Sequence, residues 1–297
     1  MIGKKLNDRY EVLELVGEGA TAAVYKGLDT RLQRIIAIKV LLPYVDSTTR
    51  QRFQREALSA AKLNHPNIMA IYDVGGDETQ PYLIVEYIEG RPLYSFIPSP
   101  PDAVAEFGRQ ICLALDYAHR QNLIHRDIKP ANIHITPTGQ VKIMDFGLAI
   151  TGETKRLTAT GRIIGTPAYL SPEQAQGLPL TSRTDMYSLG VVLYELVTGV
   201  LPFDADDIGV LLLQQVKKSP KPPSDLVPEL PSSLERAILK ALAKQPEARF
   251  ETAGAMAAAL AASLSPSATT SQSEQVVEEP VQSKFGIIRV ALADDHR

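Results

Sequence analysis

The chain has 297 residues, a formal net charge of −3, 44% hydrophobic residues and 22% charged ones. That balance fits a globular protein with a buried core, excludes disorder along the whole chain, and gives no general reason to expect nucleic acid or a membrane surface as partner. One cysteine, Cys112, excludes an internal disulfide framework and a multi-cysteine zinc site, and suits a reducing cytoplasm.

Lys4 and Lys5 lead into Asn7, Asp8 and Arg9, not into an apolar signal core. From Tyr10 to about Glu86 the pattern is mostly β. Runs at Tyr10–Val16, Val24–Leu28, Ile35–Leu41, Ile68–Val74 and Tyr82–Glu86 alternate or carry β-branched residues. One helical pattern interrupts them at Thr48–Leu63, with Phe53, Ala57, Ala60 and Ala61 at helical spacing. From about Asp102 the chain reads as mainly helical, at Asp102–Arg120, Thr184–Thr198, Ala205–Lys217, Ser232–Ala243 and Ala253–Ser263. Cys112 falls in the first of these as a small core residue. Two short strands, Ile133–Thr136 and Val141–Met144, flank a turn at Thr138-Gly139. The expected fold class is α+β, a small β-rich lobe and a larger helical one with a ligand cleft between them. The apolar run Leu189–Leu196 is broken by Glu195 and falls far short of the roughly 18 residues of a spanning helix, so the expectation is a soluble, cytoplasmic segment.

Gly17-Glu18-Gly19-Ala20-Thr21-Ala22-Ala23-Val24 joins two expected strands. Glycines there let backbone N–H groups approach phosphates without a Cβ in the way, although taken alone the pattern also fits an ordinary strand turn. A dinucleotide fold would place a helix next, whereas Ala23–Leu28 reads as strand. Ile36-Ala37-Ile38-Lys39 sets a lysine on an apolar strand, and Glu56 in the following helix can hold that ammonium toward phosphate oxygens. His125-Arg126-Asp127-Ile128-Lys129-Pro130-Ala131-Asn132 and Asp145-Phe146-Gly147 follow. Asp127 offers a carboxylate to orient a hydroxyl or accept its proton, and Asn132 with Asp145 offers the hard oxygen ligands that Mg²⁺ prefers.

In this order, these motifs resemble the eukaryotic-like protein kinases. The resemblance continues through Gly165-Thr166-Pro167-Ala168-Tyr169-Leu170-Ser171-Pro172-Glu173, Asp185-Met186-Tyr187-Ser188-Leu189-Gly190 and Arg249, over about Tyr10–Leu264. The wording is most similar to bacterial Ser/Thr kinases of the mycobacterial transmembrane type. It implies a bilobal kinase domain over 10–264, with an N-lobe of about 10–88 and a C-lobe of about 89–264. It also implies a non-specific serine/threonine protein kinase, using ATP with Mg²⁺, or Mn²⁺ in its place. Val16 and the backbone of Gly17, Glu18, Gly19, Ala20 and Thr21 would cover the nucleotide. Lys39, paired with Glu56, would contact the α- and β-phosphates. Val24 and Ala37 would pack on adenine, Glu86 and Ile88 would present backbone groups to it, and His134 would lie beneath it. Asp127 would orient the substrate hydroxyl, Lys129 would neutralise the transferring phosphoryl group, and Asn132 and Asp145 would hold the metal. Glu173 with Arg249 would be structural, and Asp185 would brace the catalytic loop. Lys129 and Thr166 resemble the Ser/Thr subclass, which implies protein substrates carrying Ser or Thr, the chain itself in trans among them.

Arg126 beside Asp127 marks the class in which activation-segment phosphorylation matters, and Thr158 and Thr160 match the autophosphorylated threonines of the bacterial members. Two residues depart from the pattern: Ala22 replaces a glycine, and His134 stands where Leu or Met is usual. They leave room for a pseudokinase acting as a nucleotide-binding or scaffold module. A small-molecule phosphotransferase would not account for Thr158–Glu173, which resembles a protein-kinase activation and substrate-docking segment. His65 and His119 read as ordinary, His125 as packing beneath Phe146, and Lys217, Lys218 and Lys221 as a solvated basic patch. Residues 265–285 read as a flexible linker rich in Ser, Thr, Pro, Gln and Glu. Residues 286–297, a strand-like run ending in Asp294-Asp295, resemble the first strand of a response-regulator receiver domain, which implies a fused receiver beyond residue 297.

Overall fold

The β-branched runs of the first third of the chain pair into a six-stranded antiparallel sheet in the computed structural model, which describes residues 1–19, 21–77, 80–146 and 167–264, with residue 52 described by its backbone. The expectations for Ala20, Thr158, Thr160, Thr166, the linker and the receiver-like run lie outside the described residues. The strands are β1 (Lys5–Leu6), β2 (Tyr10–Glu18), β3 (Ala22–Asp29), β4 (Arg34–Leu41), β5 (Ile71–Gly75) and β6 (Tyr82–Glu86), in the order β1-β2-β3-β4-β6-β5.

Strand β4 is covered on both faces. Ile36, Ile38 and Val40 pack with Tyr10, Val12, Tyr82 and Ile84 on one side. Ala37 and Leu41 pack on the other with Phe53 and Ala57 of helix α1 (Ser47–Ala60). Strand alternation therefore puts Lys39 on the α1 side, the only cation in an apolar wall of that strand. Helix α1 starts where the Asp46 carboxylate accepts the Thr49 N–H at 3.0 Å. It stops at Ala60, earlier than the periodicity suggests; Ala61 is the exposed C-cap, and Leu63 returns to the core. The expected strand from Ile68 begins only at Ile71, because Ile68 bridges in parallel to Ile143 instead.

The second lobe is built on α2 (Pro101–His119), α3 (Pro172–Ala175), α4 (Ser182–Thr198), α5 (Ile208–Lys217), α6 (Ser232–Ala241) and α7 (Ala253–Leu264). A small sheet of β7 (Arg91–Pro92), β8 (Ile133–Ile135) and β9 (Val141–Ile143) lies with them. Helix α4 is buried almost all round and forms the spine of this lobe. Thr181 caps its start in a reciprocal box with Thr184, and Gly199, at φ +79°, ends it in the left-handed region. Gly190 lets α6 lie directly on α4, since a Cβ there would meet the Ala241 Cβ at 2.9 Å. Cys112 is fully buried on α2, as expected of a core residue. Helix α5 starts at Ile208, later than expected, because Asp207 caps it through the Val210 N–H. Among the described residues no helix is long and apolar enough to cross a membrane. The architecture is α+β, as the sequence implies.

Candidate active site

The β2–β3 hairpin pairs Gly17 with Val24 and Glu18 with Ala23, and Gly19 N–H donates to the Ala22 carbonyl at 2.9 Å. A Cβ at Gly17 would meet nothing within 4 Å, and one at Gly19 only the Ala22 oxygen at 3.7 Å. Internal packing therefore does not require these glycines. They leave bare backbone over a cavity of about 380 Å³. Thr21, Ala22 and Val24 continue that roof, while Lys39, Asp127, Lys129, Asn132 and Asp145 supply the polar walls. Val16 and Glu18 lie beside it on β2, exposed and outside its lining. Ala22 is accommodated without obstruction, buried against Ala37, Leu41 and Phe53.

Lys39 donates to Asp145 Oδ1 at 2.5 Å. Glu56 of α1 shares a small cavity with Lys39, Thr49 and Phe53. Burial opposes ionisation of Asp145, but the Lys39 ammonium outweighs it and holds the carboxyl below its ordinary pKa. Asp145 also has φ +56° and Arg126 φ +70°, a backbone that non-glycine residues adopt at a cost. Met144 N–H donates to the Asn132 carbonyl at 2.9 Å, which draws Asp145 toward Asn132.

Asp127 Oδ2 accepts from Lys129 Nζ at 2.7 Å and from Asn132 Nδ2 at 2.8 Å. The same amide nitrogen also donates to the Asp127 carbonyl at 2.9 Å. Both N–H bonds of Asn132 are thus committed, which turns its oxygen away from Asp127 and leaves it to a cation. One amide oxygen and one carboxylate, completed by substrate phosphates, make a donor set that fits Mg²⁺.

The loop carrying Asp127 is held from below by Asp185 on α4. Its carboxylate is fully buried and accepts the backbone N–H groups of His125 and Arg126, each at 2.8 Å. His119 Nε2 lies 2.8 Å from the same carboxylate, so this residue belongs to the brace and is not the ordinary helix residue expected. His125 Nε2 donates to the Met144 carbonyl at 2.8 Å, and its Nδ1 accepts the Asp127 N–H at 3.3 Å. Its ring meets Phe146 edge to face at 4.6 Å, the packing expected of it. Gln174 Nε2 donates to the Arg126 carbonyl at 2.8 Å and ties the α3 segment to this loop.

Glu173 and Arg249 form a buried two-pronged ion pair at 2.8 and 2.9 Å, joined by Thr184 Oγ1 at 2.9 Å. Burial raises the Glu173 pKa, but Arg249 outweighs it and the net shift is downward. Val24, which lines the cavity, packs with Ile88 and Met144 against the apolar cluster that contains Ala37. The Glu86 carboxylate, missed by sequence reasoning as a side chain, accepts the Ala70 N–H at 3.1 Å and pairs with Lys142 at 2.6 Å. His134 alternates with buried Ile133 and Ile135, half-buried on the other face of β8. Its Nδ1 is buried without a hydrogen-bond partner, and burial lowers its pKa against the opposing influence of Asp145. Protonation in the unfolded chain begins below about pH 6.5, so stability declines as pH falls through that value. His134→Leu should therefore show a smaller loss of melting temperature between pH 7 and pH 5 than the wild type; an equal loss would contradict this reading.

The lobes, the glycine-rich hairpin and this polar constellation define a protein kinase domain. The chain belongs to that family, whose pattern matches residues 10–260. Among curated relatives, the serine/threonine-protein kinase PknB of Mycobacterium leprae is 44% identical over 262 residues, 84% of this chain and 42% of its own length. The PknB of Mycolicibacterium smegmatis is 43% identical over 263 residues, with the same coverage of 84% and 42%. A Clostridium acetobutylicum protein named "Probable serine/threonine-protein kinase" is 40% identical over 259 residues, 85% of this chain and 39% of its own. The chain thus spans about two fifths of the length of these relatives. Use of ATP and Mg²⁺ is general in the family.

Proposed function

We propose that this chain transfers the γ-phosphoryl group of ATP to serine and threonine hydroxyls of proteins. The observation that carries this reading is the convergence of Lys39, Asp127, Lys129, Asn132 and Asp145 on one cavity roofed by bare glycine backbone. The glycine hairpin covers the polyphosphate, and Lys39, paired with Glu56, meets its α- and β-oxygens, with Asp145 beside the ammonium. Val24 and Ala37 take the adenine faces, Glu86 and Ile88 offer their backbone groups to its edge, and His134 forms the floor. Asn132 and Asp145 hold Mg²⁺ (Mn²⁺ is the alternate ion), which when bound neutralises phosphate charge. Asp127 orients the acceptor hydroxyl and takes its proton, and Lys129 stabilises charge on the transferring group. Catalysis of this kind is positioning and electrostatic stabilisation, which is why the supports of Asp127 matter as much as the residue itself.

The relatives are named for Ser/Thr specificity, and Lys129 and Thr166 support the same class here. Regulation follows through Thr158 and Thr160: a phosphate there adds charge that Arg126 can bind, ordering the segment. The double variant Thr158→Ala/Thr160→Ala should lose at least about tenfold in activity on an added protein substrate. Unchanged activity of the double variant beside wild type, both incubated with Mg-ATP beforehand, would remove the regulatory part. The kinase domain over 10–264, the linker over 265–285 and a receiver-like start at 286–297 remain part of the same proposal, testable by limited proteolysis between residues 265 and 285.

A further inference from the structure

Lys244 lies outside every feature used so far, and its surroundings are unusual for a lysine. Its Nζ donates to the Gln215 carbonyl at 2.7 Å, to the Tyr187 hydroxyl at 2.9 Å and to the Gln214 carbonyl at 3.5 Å. The two carbonyls belong to the last turn of α5, where a cation is favoured; that of Gln214 also accepts the Lys218 N–H at 2.9 Å. The ammonium also stands 3.9 Å from the Phe203 ring centroid and 5.3 Å from that of Tyr187. Among the described residues no carboxylate partners it, so a half-buried charge is held by neutral acceptors and two aromatic rings.

The contacts lead somewhere specific. Tyr187 donates its hydroxyl hydrogen to Gln215 Oε1 at 2.7 Å, and Gln215 Nε2 donates to the Ala168 carbonyl at 2.5 Å. Tyr187 and Gln215 are fully buried, so each link is costly to leave unmade. Ala168 sits in the turn Pro167–Tyr169, immediately before α3 and its Glu173 and Gln174. A fixed chain of donors therefore runs from Lys244 through the core of the large lobe to the backbone of the segment that precedes the Glu173 brace.

We infer that Lys244 is a positioning residue for the protein substrate, latching through Tyr187 and Gln215 the Pro167–Tyr169 turn, which lies in the Thr158–Glu173 stretch that resembles a substrate-docking segment. This rests on the kinase reading and adds to it a device for protein binding that does not touch the nucleotide cavity. The charged and titratable groups around the latch are few. Arg249 faces the same Tyr187 ring at 4.8 Å, Glu173 neutralises Arg249, and burial pushes the Tyr187 hydroxyl far above its ordinary range. Burial first, then the Arg249 charge, lowers the Lys244 pKa to about 8. The latch is therefore cationic at neutral pH and loses its charge as pH rises through that value.

The test uses the full chain with myelin basic protein as acceptor, and compares the wild type with Lys244→Met and Lys244→Arg. Lys244→Met should raise the KM for the acceptor about tenfold while the KM for Mg-ATP stays within about twofold, and should speed amide exchange at residues 168–170. Lys244→Arg keeps the charge at every pH and should restore both readouts. Above about pH 8 the wild type should lose kcat/KM for the acceptor while Lys244→Arg does not. Wild-type exchange in Lys244→Met, or equal rises in both KM values, would overturn the inference. Exchange is read without turnover, so it reports the latch even if catalysis fails. A wild-type chain that transfers no phosphate to any acceptor would overturn the kinase reading itself, and the substrate role with it.

Discussion

Asp127→Asn should lower phosphoryl transfer by about a thousandfold while Mg-ATP binds within a few-fold of wild type. Among the described residues, Asp127 is the one carboxylate on the cavity wall that is not tied to Lys39. Two donors, Lys129 Nζ and Asn132 Nδ2, fix one of its oxygens and leave the other to the acceptor. An asparagine keeps the shape but cannot take a proton, and an amide nitrogen in either rotamer disturbs donors arranged for a carboxylate. Steady-state transfer to an added acceptor, with nucleotide affinity measured separately, checks the split. A variant within tenfold of wild-type rate would remove Asp127 from the chemistry. A variant that loses nucleotide binding equally would show a structural role instead.

Arg249→Met should destabilise the large lobe by about 3–5 kcal/mol. Arg249 is fully buried by its side chain and donates to both oxygens of Glu173, and also to the carbonyls of Arg183, Ala243 and Lys244. Removing it strands a buried carboxylate with Thr184 as its remaining side-chain donor and frees three carbonyls at once. The expected loss is large because the charge left behind is costly, more than because the pair is strong. The pH dependence has a definite sign. The folded pKa of Glu173 is lowered, so its contribution is present above the unfolded value of about 4.3 and fades as pH falls below it. Denaturant unfolding at pH 7 and pH 4 should show a gap between wild type and variant that narrows at the lower pH. A loss under about 1 kcal/mol at pH 7 would mean that Glu173 finds another partner.

Much of this was legible because the relevant residues violate their local pattern. Lys39 is a cation in Ile-Ala-Ile-Lys-Val, and two-residue alternation alone turns it toward α1. The motif residues Asp127, Asn132 and Asp145 announce themselves by type and order. Their mutual geometry was less accessible. The approach of Lys39 to Asp145 depends on how β4 sits over the segment after β9, a tertiary relation that no spacing encodes. His119 reads as the end of an amphipathic helix, and only the crossing of α2 and α4 shows it on Asp185. The positive φ of Arg126 and Asp145 leaves no trace in sequence, since neither is glycine. Tyr187 and Gln215 lie on α4 and α5 and Lys244 in the loop after α6, and nothing but packing brings them into one chain of donors. The two-residue strands β1 and β7 are too short for any periodicity to reveal.

The measurement that bears most directly on the central claim is phosphosite mapping with intact mass after incubation in Mg-ATP. The wild-type chain is dephosphorylated beforehand and run beside Asp127→Asn. The account predicts added phosphate on Ser or Thr of the wild type, with Thr158 or Thr160 among the sites, and none on the variant. Equal phosphate on both proteins, or none on either together with no transfer to an added acceptor, would contradict it.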